Sequence, residues 1–463
     1  MNRIKRLAIL TAGGDTPALN ATLDGAVTRA NQLQIEILGV IKGFSGLLNP
    51  RIPHVVLNPL FTTIPELDPT RGGTILGASR DYVDANDRTT IKSIADRLQQ
   101  HQVDGLICIG GDGTLNGMQA IGELLPTALA PKTIDNDLGL NYRNEPDEWL
   151  LDVSADGKKS YHRTPAARAF DLSQMVNYVT PGFATAVYVS ASGVERIRTT
   201  AESHRRIAIV EVMGRHSGYI ALGSSYGQPD ILLIPENPLN LPHLIERIKE
   251  LYERQKHVVL VCGEGIVDEQ GNDLGAERAS SDPAGNKLLS GAAESLRRLL
   301  IENIGDDYFR SKRRNESASA AIFTRKIGHT QRGGRPIRFD RFYANLLGGK
   351  AVDLIVEGRN NFVSVLQYDP TNGFYVDGVP ANDFRDRWGH IHARKVHLDC
   401  YDAQYLRASR TGVDYLRPIF DNALGQDDLQ AMHHIFSPGH VGLPFHSVHV
   451  DVSKRIRFLE PNS

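Results

Sequence analysis

Two carboxylates, Asp135 and Asp137, stand two residues apart in the run Pro131-Lys132-Thr133-Ile134-Asp135-Asn136-Asp137. Such a run is poorly suited to a core. In an extended or loop segment both acids point the same way. One can then take a proton from a substrate hydroxyl while the other orients it or completes a metal shell. A solvated Asx-type turn is the other reading of the same residues. Upstream, Gly110-Gly111-Asp112-Gly113-Thr114 and Gly13-Gly14-Asp15 each close a short apolar run. Glycines there let backbone approach a phosphate, and a following helix N-terminus offers unpaired N–H groups and partial positive charge. Asp112 has no attraction for phosphate; it either caps the helix or holds a divalent metal. Gly72 to Arg80 is a third Gly-rich turn, ending in a guanidinium that can grip phosphate oxygens bidentately or lie as a surface arginine. Ile327 to Arg335 gathers His329, Gln331 and Arg332 in a loop suited to a second phosphate, and Glu264 closes a strand where it could meet sugar hydroxyls.

These residues need a scaffold that brings distant loops together. Leu7 to Leu10 and Leu106 to Ile109 read as buried parallel strands, and Ile35 to Val40 as a third. Helical spacing follows the glycine turns, with Leu19, Leu23 and Val27 in one helix and Leu115, Met118, Ile121, Leu124 and Leu125 in the other. Strand, helix, strand at this spacing is a right-handed crossover, and ligands of such sheets lie beyond the strand C-terminal ends. Further buried strands are expected before Met213, at Ile231 to Ile234 and before Glu264, with a helix from Asp340 to about Val356. The stretch 141–180 is polar and irregular and reads as a surface insertion. Beyond about Gly358 the sequence changes character and becomes rich in His and Arg, including His390, His392, His433, His434 and His440; without convincing third and fourth ligands these read as structural or solvated histidines. Neither glycine turn matches the dinucleotide or Walker A pattern.

The 463 residues, 41% hydrophobic and 23% charged, suit roughly three globular domains. A net charge of −2 gives no long-range pull toward nucleic acid or anionic membrane, so an anionic ligand depends on local basic residues. Cys108, Cys262 and Cys400 are few and widely spaced, as in reduced cytoplasmic proteins, and no apolar run is long enough to span a bilayer.

Taken in order, Gly13-Gly14-Asp15, Gly72 to Arg80, Gly110 to Thr114, Thr133 to Asp137 with Met213-Gly214-Arg215, and Gly328 to Gly334 resemble the phosphofructokinase family from Lys5 to about Val356, apart from the insertion. The resemblance implies an α/β fold of two doubly wound parallel-sheet domains with the active site in the cleft between them, plus a C-terminal extension. Residues 1–138 with 335–360 would bind the phosphate donor, 139–334 the sugar phosphate, and 361–463 would be the extension. It implies phosphoryl transfer from ATP or pyrophosphate to fructose 6-phosphate, with Asp135 as base, Thr133 beside it and Asp137 in support. Asp112 would hold Mg²⁺, while Gly13, Gly111, Gly113 and Thr114 cradle the donor phosphates beside Lys132. Arg80 and Arg215 would stabilise the transferring group, and Phe44 would meet adenine. Met213, Gly214, Glu264, His329 and Arg332 would bind the sugar phosphate, joined by Arg206 from a neighbouring subunit of a homo-oligomer.

Three departures refine these expectations. Pyrophosphate users carry Asp at position 113 and Lys at 132, whereas short bacterial ATP enzymes carry Gly at both; this chain has Gly113 with Lys132. An Asp at 113 would crowd and repel a nucleotide α-phosphate, so Gly113 points to ATP. At the second cross-subunit arginine of short members stands Phe323, with Arg325 two residues on; either Arg325 substitutes, or the sugar-phosphate grip is altered, which leaves another ketose phosphate such as sedoheptulose 7-phosphate as an alternative acceptor. Asp24 and Thr28 stand where the bacterial effector site is basic, arguing against that control. A non-catalytic homologue would lack Asp135, Asp112 or Arg80, and all three are present.

Overall fold

The computed structural model describes residues 4–81, 83–143, 145–154, 157–163, 169–275, 291–312, 316–435 and 445–460. Of the histidines singled out above, His440 lies outside the described residues, as do the side chains of His433 and His434.

Leu106, Ile107, Cys108 and Ile109 are fully buried, as a strand covered on both faces requires. They belong to a seven-stranded sheet ordered Gly373–Pro380, Phe362–Asp369, Thr127–Pro131, Gly105–Gly110, Arg6–Thr11, Glu36–Val40, His54–Val56. The inner five strands are parallel and the two edge pairings antiparallel. Register decides where the chemistry falls. Thr11 lies opposite Ile109 and Gly110 opposite Pro131, so the turns after these three strands emerge side by side at one sheet edge. A second sheet of four parallel strands is ordered Ile322–Lys326, Ile207–Val212, Val258–Gly263, Ile231–Leu233. There Val212 pairs with Gly263, which delivers Met213 and Glu264 together.

Three boundaries differ from the sequence reading. The helix after the central strand is Asp112–Ile121 and stops at Gly122, which leaves Leu124 exposed beyond it instead of on its apolar face. The stretch 141–180 is exposed chiefly in its hairpin, Trp149–Val153 with Lys159–Arg163, whereas Met175 to Thr180 run buried. Its polar residues are internal partners: Asn177 Oδ1 accepts the Leu366 N–H at 2.9 Å and Thr180 Oγ1 donates to Thr133 O at 2.8 Å. Phe362–Asp369 and Gly373–Pro380, counted above with the extension, complete the first sheet.

The two domains are joined at a buried carboxylate. Asp340 opens the long helix Arg338–Val356 and accepts the Thr185 N–H at 2.7 Å and the Thr185 hydroxyl at 2.6 Å, at the start of helix Phe183–His204. Burial pushes the Asp340 carboxyl up to about 6, while hydrogen bonds from Thr185, Gly182 and Ala184 pull it down. Removing it strands the buried Thr185 N–H and hydroxyl. Asp340→Ala should therefore lower unfolding stability by about 3 kcal/mol, read from urea denaturation monitored by tryptophan fluorescence.

Candidate active site

A cleft of about 610 Å³ opens where the two sheets face each other. From the first domain Gly13, Phe44, Arg80, the turn Gly111 to Thr114, Lys132, Thr133, Asp135 and Asp137 line it; Arg215, Glu264 and Arg332 line it from the second domain. The remaining expected residues stand apart. Met213 and Gly214 lie behind the wall, and the Met213 N–H donates to Gln331 Oε1 at 2.9 Å. Gln331, read above as part of a phosphate cradle, is wholly buried and also donates to Ser190 Oγ at 2.6 Å, so it braces the loop instead of facing a ligand. His329 lines an adjoining pocket that shares Gly13, Arg80 and Arg332 with the cleft. Arg206 precedes the strand Ile207–Val212 and so sits at the sheet end opposite the cleft. Arg325 lies over the Phe323 ring at 5.3 Å on the exposed edge strand of the second sheet. Asp24 accepts from Asn345 Nδ2 at 2.8 Å.

The acid loop is ordered from within. Thr133 Oγ1 donates to Asp137 Oδ1 at 2.7 Å and accepts the Asp135 N–H at 3.1 Å. Asp135 Oδ1 is buried and has no hydrogen-bond partner among the described residues, and the same holds for Arg215 Nε and Arg332 Nε. Burial and the neighbouring Asp137 carboxylate push the Asp135 carboxyl above the ordinary range, against the pull of Arg332 and Arg215. A carboxyl so raised suits a base working near neutral pH.

Lys132 is almost fully buried, and its ammonium donates to Gly14 O beneath the first glycine turn. Burial lowers it to about 8, with Arg332 adding to the fall and Asp15, Asp137 and Asp135 opposing it. Asp112 is held well above the carboxylate range, first by burial and then by Asp137, although its Oδ1 accepts the Gly139 N–H at 3.1 Å. Two facing carboxylates short of positive charge fit a divalent cation. Among the described residues no cluster of three ligating side chains exists; Mg²⁺ takes one or two carboxylates and completes its shell with water and substrate phosphates, so the pair suffices. Gly113 is exposed, and a Cβ built on it would meet nothing within 4 Å.

The cleft holds residues that no local pattern announced. His390, Ile391 and Ala393 of the extension line it near Asp112 and Asp137. The His390 ring stacks on Tyr161 of the 149–163 hairpin with centroids 4.5 Å apart, and His392 stacks on Trp149 at 3.5 Å while bonding Asp386 at 2.8 Å. Only His390 and His392 stood out beforehand, read as structural or solvated histidines, and they carry no phosphate signature.

Backbone anion turns beside buried acids at one edge of a cleft, with arginines contributed by both of its sides, are the equipment of phosphoryl transfer. The phosphofructokinase family model matches residues 6–142 and 172–355, and the chain belongs to that family. It is 34% identical over 359 residues to ATP-dependent 6-phosphofructokinase 2 of Streptomyces coelicolor, covering 76% of this chain and 88% of that protein. It is 32% identical over 360 residues to ATP-dependent 6-phosphofructokinase of Listeria welshimeri, with 77% and 88% covered. Among solved structures, the fold resembles pyrophosphate-dependent phosphofructokinase of Nitrosospira multiformis, with a TM-score of 0.69, 16% identity and 99% of each chain covered. The corresponding enzyme of Marinobacter aquaeolei gives a TM-score of 0.67 at 18% identity, covering 91% of this chain and 95% of that one. These two likenesses, unlike the family model, extend into the C-terminal extension.

The wall between Met213 and Arg215 depends on one backbone feature. Gly214 has φ +122°, and a Cβ there would lie 2.5 Å from Ser217 O. Gly214→Ala should displace Arg215 and lower kcat/KM about a hundredfold in steady-state assays while the far-ultraviolet spectrum stays native.

Proposed function

We propose that the protein transfers the terminal phosphoryl group of Mg-ATP to the 1-hydroxyl of fructose 6-phosphate, giving fructose 1,6-bisphosphate in glycolysis. The observation that carries this reading is the orphaned Asp135 Oδ1 in the cleft between the glycine turns and Glu264 with Arg332. Asp135 takes the hydroxyl proton as the sugar oxygen forms its bond to phosphorus and the bond to the leaving diphosphate breaks. Thr133 and Asp137 hold the base loop; Arg80 and Arg215 neutralise charge on the moving group, which in phosphoryl transfer is most of what a protein contributes. Asp112 would hold the Mg²⁺, which would supply positive charge against the donor phosphates. Gly13, Gly111, Gly113, Thr114 and Lys132 cradle those phosphates, with Phe44 toward the base of the nucleotide. Glu264, Arg332 and His329 grip the sugar phosphate, backed by Met213 and Gly214. Arg206, remote from its own cleft, would serve a neighbouring subunit, so the working form is a homo-oligomer. Residues 1–138 with 335–360 act as the donor domain and 139–334 as the sugar-phosphate domain. A cytoplasmic setting suits this reaction, and among the described residues no helix is long and apolar enough to cross a membrane.

The open space beside Gly113 supports ATP over pyrophosphate, while Lys132 keeps pyrophosphate as the second donor to be assayed. Purified protein is to be assayed with both donors against fructose 6-phosphate and sedoheptulose 7-phosphate. ATP with fructose 6-phosphate should give the highest kcat/KM, and chelation of Mg²⁺ should abolish turnover. Higher kcat/KM with pyrophosphate, or with the seven-carbon sugar, would overturn that part of the assignment. Asp135→Asn should reduce kcat about a thousandfold with little change in either KM. Gly113→Asp should cut kcat/KM for ATP about a hundredfold through repulsion of the α-phosphate, and cut that for pyrophosphate far less.

A further inference from the structure

Beneath the acid loop lies a residue from beyond the family match. Arg394 of the C-terminal extension is 2% exposed, and its hydrogen-bond acceptors are carbonyl and amide oxygens, none of them a carboxylate. A guanidinium is buried this way only at a large desolvation cost unless its N–H groups are well used. They converge on one place. Nε donates to Asn136 O at 2.8 Å, Nη2 to Asn136 Oδ1 and Nη1 to Asn177 O, while the Arg394 backbone N–H donates to Asp137 O at 2.8 Å. The guanidinium carbon stands 5.1 Å from the centre of the Tyr219 ring.

What Arg394 holds is a left-handed turn. Asn136 is wholly buried with φ +56°, a region that side-chain-bearing residues seldom enter, Asn more readily than most, and that its surroundings here over-determine. Tyr415, also from the extension, accepts from Asn136 Nδ2 at 2.6 Å, and the Thr180 N–H donates to Asn136 Oδ1 at 3.1 Å. The reversal at Asn136 turns Asp135 and Asp137 into the cleft on either side of it.

We infer that Arg394 is a positioning residue for the reaction: by fixing the left-handed turn at Asn136, it sets where the Asp135 carboxylate stands. The inference rests on the proposed role of Asp135. A lysine could not replace it in full, because a single ammonium lacks the planar fork that reaches Asn136 O, Asn136 Oδ1 and Asn177 O together.

The full-length variants Arg394→Lys, Arg394→Met and Tyr415→Phe are compared with Tyr401→Phe. The last removes another buried bond of the extension, Tyr401 OH to Leu232 O at 2.6 Å, away from the loop. Two quantities are read: kcat and KM with the donor and sugar phosphate that the wild type uses, and amide hydrogen exchange of a peptide spanning 133–137. Arg394→Met should lose about a hundredfold in kcat with KM little changed, and Arg394→Lys should recover part of it. Exchange at 133–137 should quicken in the Arg394 and Tyr415 variants and stay at the wild-type rate in Tyr401→Phe. A kcat within about threefold of wild type in the Arg394 variants would overturn the inference. So would unchanged exchange, or an equal kcat loss in Tyr401→Phe. If Arg394→Met fails to fold, Tyr415→Phe decides by the same two readings. A wild type that turns over no donor with any sugar phosphate would overturn the functional reading alone, and the exchange comparison would still decide the role of Arg394.

Discussion

Parallel register is the constraint on which the rest of the structure depends. Arg6–Thr11, Gly105–Gly110 and Thr127–Pro131 are adjacent, parallel and nearly level at their C-terminal ends, so three loops of different chemistry open at one place. Two are glycine turns that offer backbone N–H groups, and the third carries the acids. None of the three could meet the others through local sequence, since more than a hundred residues separate Gly13 from Asp135. The second sheet repeats the device with two strands, Val212 level with Gly263, so that the loops after them bring Arg215 and Glu264 to the same cleft.

Acids and bases crowd together in the resulting cleft with little water to part them. Asp112, Asp135, Asp137 and Glu264 share one wall-to-wall space with Arg80, Arg215 and Arg332, and burial raises the carboxyls of Asp112, Asp135 and Glu264. Lys132 is drawn the other way, toward its neutral form. Each group is held short of its comfortable charge state. Groups shifted in this way, by burial and by one another, gather where a fold does chemistry and not where it merely packs.

The strands and their glycine turns were legible because buried parallel strands leave continuous apolar runs and anion turns leave glycines. Asp112, Lys132, Asp135 and Arg80 were legible for a related reason: charged residues clustered beside such runs have little structural use. Gln331 misled because its neighbours His329 and Arg332 set a polar context, while only packing reveals that its amide turns inward to Met213 and Ser190. The polarity of 141–180 misled similarly, since Asn141, Asn177 and Thr180 satisfy buried backbone instead of water. Arg394 was out of reach for a different reason. Its partners, Asn136 and Asn177, lie more than two hundred residues away, and no periodicity links them.

The hairpin Phe362–Asp369 and Gly373–Pro380 gives the extension a meaning beyond the cleft. Phe362 and Val363 lie against Ala128 and Leu129, so this ribbon seals the flank of a strand whose final residues lead into the acid loop. A chain cut at about residue 360 would leave Thr127–Pro131 with a bare row of N–H and C=O groups, a template for association with other copies. Residues 362–380 are thus less an appendage than the outer border of the first domain. An insertion or fusion would be absorbed beyond that border, and a truncation short of it would trade a sealed sheet for a sticky one.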